Sequence, residues 1–80
     1  MAEGAKDWDD ALSHARELLA LDPLSEAAHL RVIRLHYLAG ERVAALLAFD
    51  GCERMLKDEV GATPSAEALA LLATISAAQS

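Results

Sequence analysis

The chain has 80 residues, a mass of 8.5 kDa, seven basic and 13 acidic side chains, and a formal net charge of −6. A compact chain of this mass exposes ~4,700 Å² of the ~12,300 Å² it shows when extended, enough for one small domain and no more. The acidic balance disfavours contact with phosphate backbones, the single cysteine excludes an internal disulfide, and a 54% hydrophobic, 25% charged composition excludes a disordered tail.

Ala (18) and Leu (14) account for 32 of the 80 residues, whereas Val, Ile, Thr and the aromatics together account for 10. The first pair are strong helix formers and the second set strand formers, so an all-α fold is expected. The longest apolar run, Val43 to Phe49, is far shorter than the ~20 residues of a membrane span. Residues Met1 to Asp7 hold no apolar signal-peptide core, so a cytoplasmic location is expected.

Four helices are expected, in the following order. Asp7, Asp9 and Asp10 place carboxylates where a helix N-terminus favours them, with Asp7 as cap, and this first helix runs to about Leu21. The second opens within Asp22-Pro23-Leu24-Ser25-Glu26, capped by Asp22 or Ser25 with Pro23 allowed in the first turn, and ends at Gly40. The third runs from about Glu41 to Asp58 and stops near Gly61, a residue suited to a left-handed C-terminal turn. Thr63-Pro64-Ser65 starts the fourth, from about Ser65 to Ser76, with a fraying Ala77-Ala78-Gln79-Ser80 tail. Loops this short make neighbouring helices antiparallel.

A shift of 34 residues places Ala11 on Ala45, Ala15 on Phe49, Leu18 on Cys52 and Leu21 on Met55. That period is the tetratricopeptide one. Its elements stand as Trp8, Ala11, Leu18 and Pro23, then as Gly40, Ala45, Phe49 and Cys52. The expected organisation is one tetratricopeptide-like domain over 1–80, a short right-handed solenoid piece. Residues 7–21 form the second helix of a partial repeat, 22–58 a full repeat, and 62–77 the opening helix of a third. The expected core is Ala11, Leu18, Val32, Ile33, Ala45, Phe49, Cys52 and Leu72. In the full repeat, His29, Val32, Ile33 and His36 take positions that face the paired helix, and Ala27, Leu30, Arg34 and Tyr37 those that line a concave groove. Ile33 stands where a small residue is usual and Arg42 where an aromatic is usual.

The linear string narrows the family. Trp8-Asp9-Asp10-Ala11-Leu12 is followed by Ala15-Arg16-Glu17-Leu18-Leu19-Ala20-Leu21-Asp22-Pro23-Leu24-Ser25-Glu26-Ala27-Ala28-His29, then Leu38-Ala39-Gly40-Glu41-Arg42, Ala45-Leu46 and Phe49. Leu56, Glu59-Val60-Gly61 and Pro64-Ser65-Ala66-Glu67 complete the pattern. Over residues 7 to 75 this resembles the C-terminal half of the bacterial transcriptional activator domain, the tetratricopeptide-like module of antibiotic-regulatory-protein-type regulators. The Gly-x-x-Pro-Ser-x-Glu linker is the most diagnostic block, because a generic tetratricopeptide lacks it. Gly51 departs from a usually charged, helix-favouring residue and Leu72 from a usual Tyr, and the family's winged-helix DNA-binding domain does not lie in this segment. The resemblance implies a role in transcriptional control through protein contacts rather than through DNA contacts made by these residues.

No catalytic constellation is expected, and neither a metal nor a cofactor. His29 and His36 lie seven residues apart, about 10 Å along a helix axis, too far to share one ion, and His14 is isolated. No H-E-x-x-H, Cys-pair or phosphate-loop spacing occurs. Cys52 shares the stripe of Phe49 and Leu56 and reads as a buried, inert thiol. Arg31 and Arg34, with Arg42 beyond the turn, concentrate the positive charge. They either pair with Glu26, Glu41 or Asp50, or Arg34 and Tyr37 bind an acidic or C-terminal peptide segment.

Two functional readings follow. One is a non-catalytic protein-interaction and oligomerisation module of a bacterial transcriptional regulator; the other is a free-standing adaptor that binds a peptide of a partner protein outside transcription. Both use a protein partner or a second copy, with no nucleic acid, membrane or small-molecule substrate. Leu12, Ala15 and Leu19 on the first helix have nothing N-terminal to pack on, and Leu69, Leu71, Leu72 and Ile75 leave the last helix apolar nearly all round. Self-association as a homodimer through Leu12, Leu19, Leu69, Leu71 and Ile75 is therefore expected.

Overall fold

A computed structural model describes residues 2–77 of the chain, with side chains from Trp8 onward. Its elements are α1 (Ala2–Leu21), α2 (Glu26–Leu38), α3 (Arg42–Met55), continued by a π-helical turn (Leu56–Val60), and α4 (Ala66–Ala77). The fold is all-α, and no strand occurs among the described residues.

The sequence punctuation works as its chemistry requires. Ser25, not Asp22, caps α2: its backbone is extended and its Oγ accepts the Ala28 N–H at 3.2 Å. Ser65 caps α4 in the same way through the Ala68 N–H at 3.2 Å. Gly40, at φ +82°, closes α2 with paired bonds, Gly40 N–H to the Tyr37 carbonyl and Glu41 N–H to the His36 carbonyl. This is the two-bond glycine stop that satisfies orphan carbonyls. Gly61, at φ +73°, ends the π-helical turn that follows α3. The first helix begins earlier than the carboxylate pattern suggests, because α1 is already helical from Ala2 and Asp7 lies in its interior rather than at its cap. Of the expected fraying tail, Ala77 is still helical and residues 78–80 lie outside the described region.

Packing runs between chain neighbours: α1 on α2, α2 on α3, α3 on α4, with α4 returning to touch α2. A stacked helix-pair repeat needs this pattern. The main core gathers Leu30, Ile33, Ala45, Phe49, Cys52, Leu56, Ala68 and Ile75, with Tyr37, Leu46, Ala48, Met55, Leu71 and Leu72 packed against it. A second, smaller cluster joins Leu12 and Ala15 of α1 to Val32 of α2, with Leu19 and Leu35 beside it.

Five of the eight expected core residues, Val32, Ile33, Ala45, Phe49 and Cys52, are buried. Ala11 and Leu72 are half-buried, and Leu18 is 38% exposed. The error at Leu18 is one of helix phase. α1 packs on α2 along Leu12, Ala15 and Leu19, a stripe at i, i+3, i+7, and contact with one neighbouring helix covers only that narrow strip. Leu12 at 6% exposure and Ile75 at 0% are consumed inside the chain, so neither can serve self-association. Leu19 and Leu71 also pack inward, which leaves Leu69, 51% exposed, as the one residue of that expected set open to a partner.

The slab is flat, with principal extents of 42 × 33 × 16 Å and a radius of gyration of 12.6 Å, against ~11.6 Å for a compact chain of this length. Its surface of 5246 Å² likewise exceeds the ~4,700 Å² of a compact domain.

Candidate functional site

A groove of about 480 Å³ lies between α1 and α2. Ala11, His14 and Ala15 form one wall, Ala27, Leu30, Arg31, Arg34 and Leu35 the other, and Glu67 of α4 closes one end. The small alanines of α1 make room, since a longer side chain at either position would fill the space. Leu30 and Ala15 are buried and give the groove an apolar floor, while Arg31 and Arg34 are exposed at its edge.

Three of the four expected groove residues, Ala27, Leu30 and Arg34, line this space. Tyr37 does not; it packs half-buried against the main core. The α1 wall was not foreseen. Its signal was Ala11, His14 and Ala15 at i, i+3, i+4, which one helical face collects whatever the role of the residues.

None of Arg31, Arg34 and Arg42 pairs with Glu26, Glu41 or Asp50 among the described residues. Arg34 Nη2 meets Glu67 Oε2 at 3.3 Å, with the two side chains 51% and 68% exposed. A pair so open to water contributes under ~1 kcal/mol and exchanges readily with another carboxylate. Arg31 has no ion pair among the described residues. Arg42 reaches across to α4, where its Nε donates to the Ile75 carbonyl at 3.2 Å. The last turn of α4 has no basic residue of its own, so Arg42 supplies the cation that a helix C-terminus favours.

The acidic side chains are used as anchors. Glu26 Oε2 accepts the Ser65 N–H at 2.9 Å, which ties the start of α4 to the start of α2. With the Ser65 cap and the Arg34–Glu67 pair, the Pro64-Ser65-Ala66-Glu67 block fixes α4 across the end of the groove. Glu41 Oε1 lies 2.8 Å from His36 Nδ1, and Arg16 Nη2 lies 3.3 Å from His36 Nε2. A guanidinium only donates, so Nε2 accepts and the ring proton sits on Nδ1, directed at Glu41. This buried histidine thus links α1, α2 and the turn before α3. His29 Nε2 donates to the Pro23 carbonyl at 2.8 Å and steadies the α1–α2 loop.

Cys52 is 1% exposed in the main core. Burial, reinforced by the negative charges of Glu26 and Glu53, pushes its thiol from 9.0 up to about 11. Among the described residues no group of three or more His, Cys, Asp or Glu comes together to hold a metal. No helix among them is long and apolar enough to cross a membrane.

Searches of curated proteins and of solved structures give no match. The family model of the bacterial transcriptional activator domain matches residues 2–76, a span that takes in all four helices, the groove they form and the Ser65–Glu67 anchor beside it. The chain belongs to the bacterial transcriptional activator domain family.

Proposed function

We propose that this chain is a non-catalytic protein-interaction module of a cytoplasmic bacterial transcriptional regulator, and that its α1–α2 groove takes an acidic, partly apolar segment of a partner protein. The observation that carries this reading is the pair Arg31 and Arg34 at i, i+3 above the apolar floor of Leu30 and Ala15. Arg31 is unpaired among the described residues and Arg34 is held only by a solvent-exposed carboxylate, on a chain whose net charge is −6. Cations concentrated in one groove of an otherwise acidic protein select for carboxylates and against phosphate polymers, which the rest of the surface repels.

The test is fluorescence titration of the chain with two short labelled peptides: one with Asp and Leu at helical spacing, the other with each Asp replaced by Lys. The Asp peptide should bind in the micromolar range and weaken as salt rises, and the Lys peptide should not bind. Arg31→Glu with Arg34→Glu should abolish binding while leaving helicity intact, since both side chains are exposed. Equal affinity for the two peptides, or affinity untouched by the double substitution, would overturn the reading.

A further inference from the structure

We propose that His36 is a pH-operated latch, which holds α1 on the rest of the domain while its ring is neutral and releases α1 when the ring takes a second proton. The latch stands whatever the α1–α2 groove binds.

His36 is the one polar side chain buried among the described residues, 6% exposed where α1, α2 and the turn before α3 meet. Both ring nitrogens are engaged: Nδ1 lies 2.8 Å from Glu41 Oε1 and Nε2 lies 3.3 Å from Arg16 Nη2. Only the neutral ring suits both neighbours. With its proton on Nδ1 it donates to Glu41 and accepts from Arg16. The protonated ring carries an N–H on each nitrogen, and the one on Nε2 then faces a guanidinium that only donates. Attraction at that contact turns into repulsion between two cations.

Glu41 does not cancel the effect. It follows His36 by five residues across the short turn through Gly40, so it holds Nδ1 whether α1 is docked or not. Its preference for a charged ring is common to both states and drops out of their difference. Of the two partners only Arg16 belongs to α1, and it opposes the second proton only while α1 is docked. Other neighbours of α2 are engaged elsewhere: Arg42 of α3 turns to the Ile75 carbonyl, and Glu67 of α4 pairs with Arg34. One turn back along α2, Val32 and Ile33 are apolar. The undocked state therefore takes the extra proton more readily, and docking weakens as pH falls. An imidazole makes this change between about pH 5 and 8.

The rest of the attachment is slight enough for one contact to matter. Three buried side chains, Leu12, Ala15 and Val32, join α1 to α2, whereas eight hold α2, α3 and α4 together. Ala11, His14 and Ala15 of α1 also form one wall of the groove, so release of α1 removes that wall.

Amide exchange followed by NMR on the 80-residue chain, with the His36 ring observed in the same samples from about pH 8 to about pH 5, tests the latch. After correction for the intrinsic pH dependence of exchange, amides from Ala11 to Leu19 should lose about tenfold in protection relative to Ile33 and Phe49 as the ring titrates. That is the scale of one hydrogen bond to a charged group. A ring that stays neutral throughout would overturn the proposal. So would a ring that titrates while α1 keeps its protection, because the exposed guanidinium would then merely swing into water. Two substitutions at Arg16, an exposed position, separate the latch from the other histidines. Arg16→Glu sets an acceptor opposite Nε2, so α1 should hold more firmly as pH falls. Arg16→Gln, whose amide can donate or accept, should leave α1 insensitive to pH. His14 and His29 remain in both variants, so the native pH dependence persisting in either would assign the effect to them and refute the latch.

Discussion

The two ends of the domain are held by different means. The unit formed by α2, α3 and α4 closes around eight buried side chains, among them Phe49, Ile33 and Ile75. By contrast α1, the longest helix at 20 residues, meets α2 through a cluster of only three, Leu12, Ala15 and Val32. In its last turn Leu18 and Leu21 stay open, at 38% and 83% exposure. What completes its attachment is polar: the Arg16 contact to His36, itself bonded to Glu41. Helix length therefore says little about docking strength. The number of neighbours a helix touches sets how much of its apolar surface leaves water, and α2 is the main neighbour of α1.

The contrast yields a ranked set of outcomes. Phe49→Ala strikes the main core and should cost roughly 3–5 kcal/mol, a large share of the whole stability of so small a domain. Urea unfolding followed by circular dichroism should show the entire helical signal lost at a much lower midpoint. An unchanged midpoint would mean Phe49 is not the centre of the fold.

Leu12→Ala should cost about 2 kcal/mol, at the lower bound for such a change, because its cluster has few neighbours to leave unsupported. Hydrogen exchange should speed up in α1 while α2 to α4 keep their protection. Equal loss everywhere would erase the distinction between the two regions. Cys52 gives an independent reading of the same contrast. Its thiol should resist alkylation at pH 8 in the native chain and in Leu12→Ala, and react only when the main core opens. The raised thiol value also has a sign for stability. The folded state disfavours the thiolate, so this contribution is fully present below pH 9 and is lost as pH rises through about 11. Urea midpoints measured across that window should fall with rising pH more steeply in the native sequence than in Cys52→Ala.

Gly51→Ala should raise stability by about 1 kcal/mol, since it removes a helix-interior glycine without meeting any atom. Thermal melts of the two chains side by side check this value. Leu21→Ser sits at the open end of α1 and should change stability by under about 0.5 kcal/mol in either direction. A larger loss would reveal a contact that tightens α1 beyond its small cluster.

Much of this could be read from the chain itself. Ala and Leu content, with Gly40, Gly61, Ser25 and Ser65 as stops and caps, determined four helices, because these signals act on the backbone within a few residues. The third helix, with a neighbour on each side, showed its buried stripe from periodicity, so Ala45, Phe49 and Cys52 were legible. Three of the nine residues that line the groove, Ala27, Leu30 and Arg34, could be grouped from the sequence, because they lie on one helix at fixed spacing. Tertiary structure alone decided which stripe of α1 turns inward, since Leu12 and Leu18 are equally apolar and only the angle of α2 distinguishes them. It also decided the partners of the charges. Glu26 holds Ser65, Arg34 holds Glu67 and Arg42 holds the end of α4, pairings that span 33 to 39 residues and join separate helices. Local spacing has no reach over such distances; the long charged side chains meet only after burial of the apolar stripes has set the helices side by side.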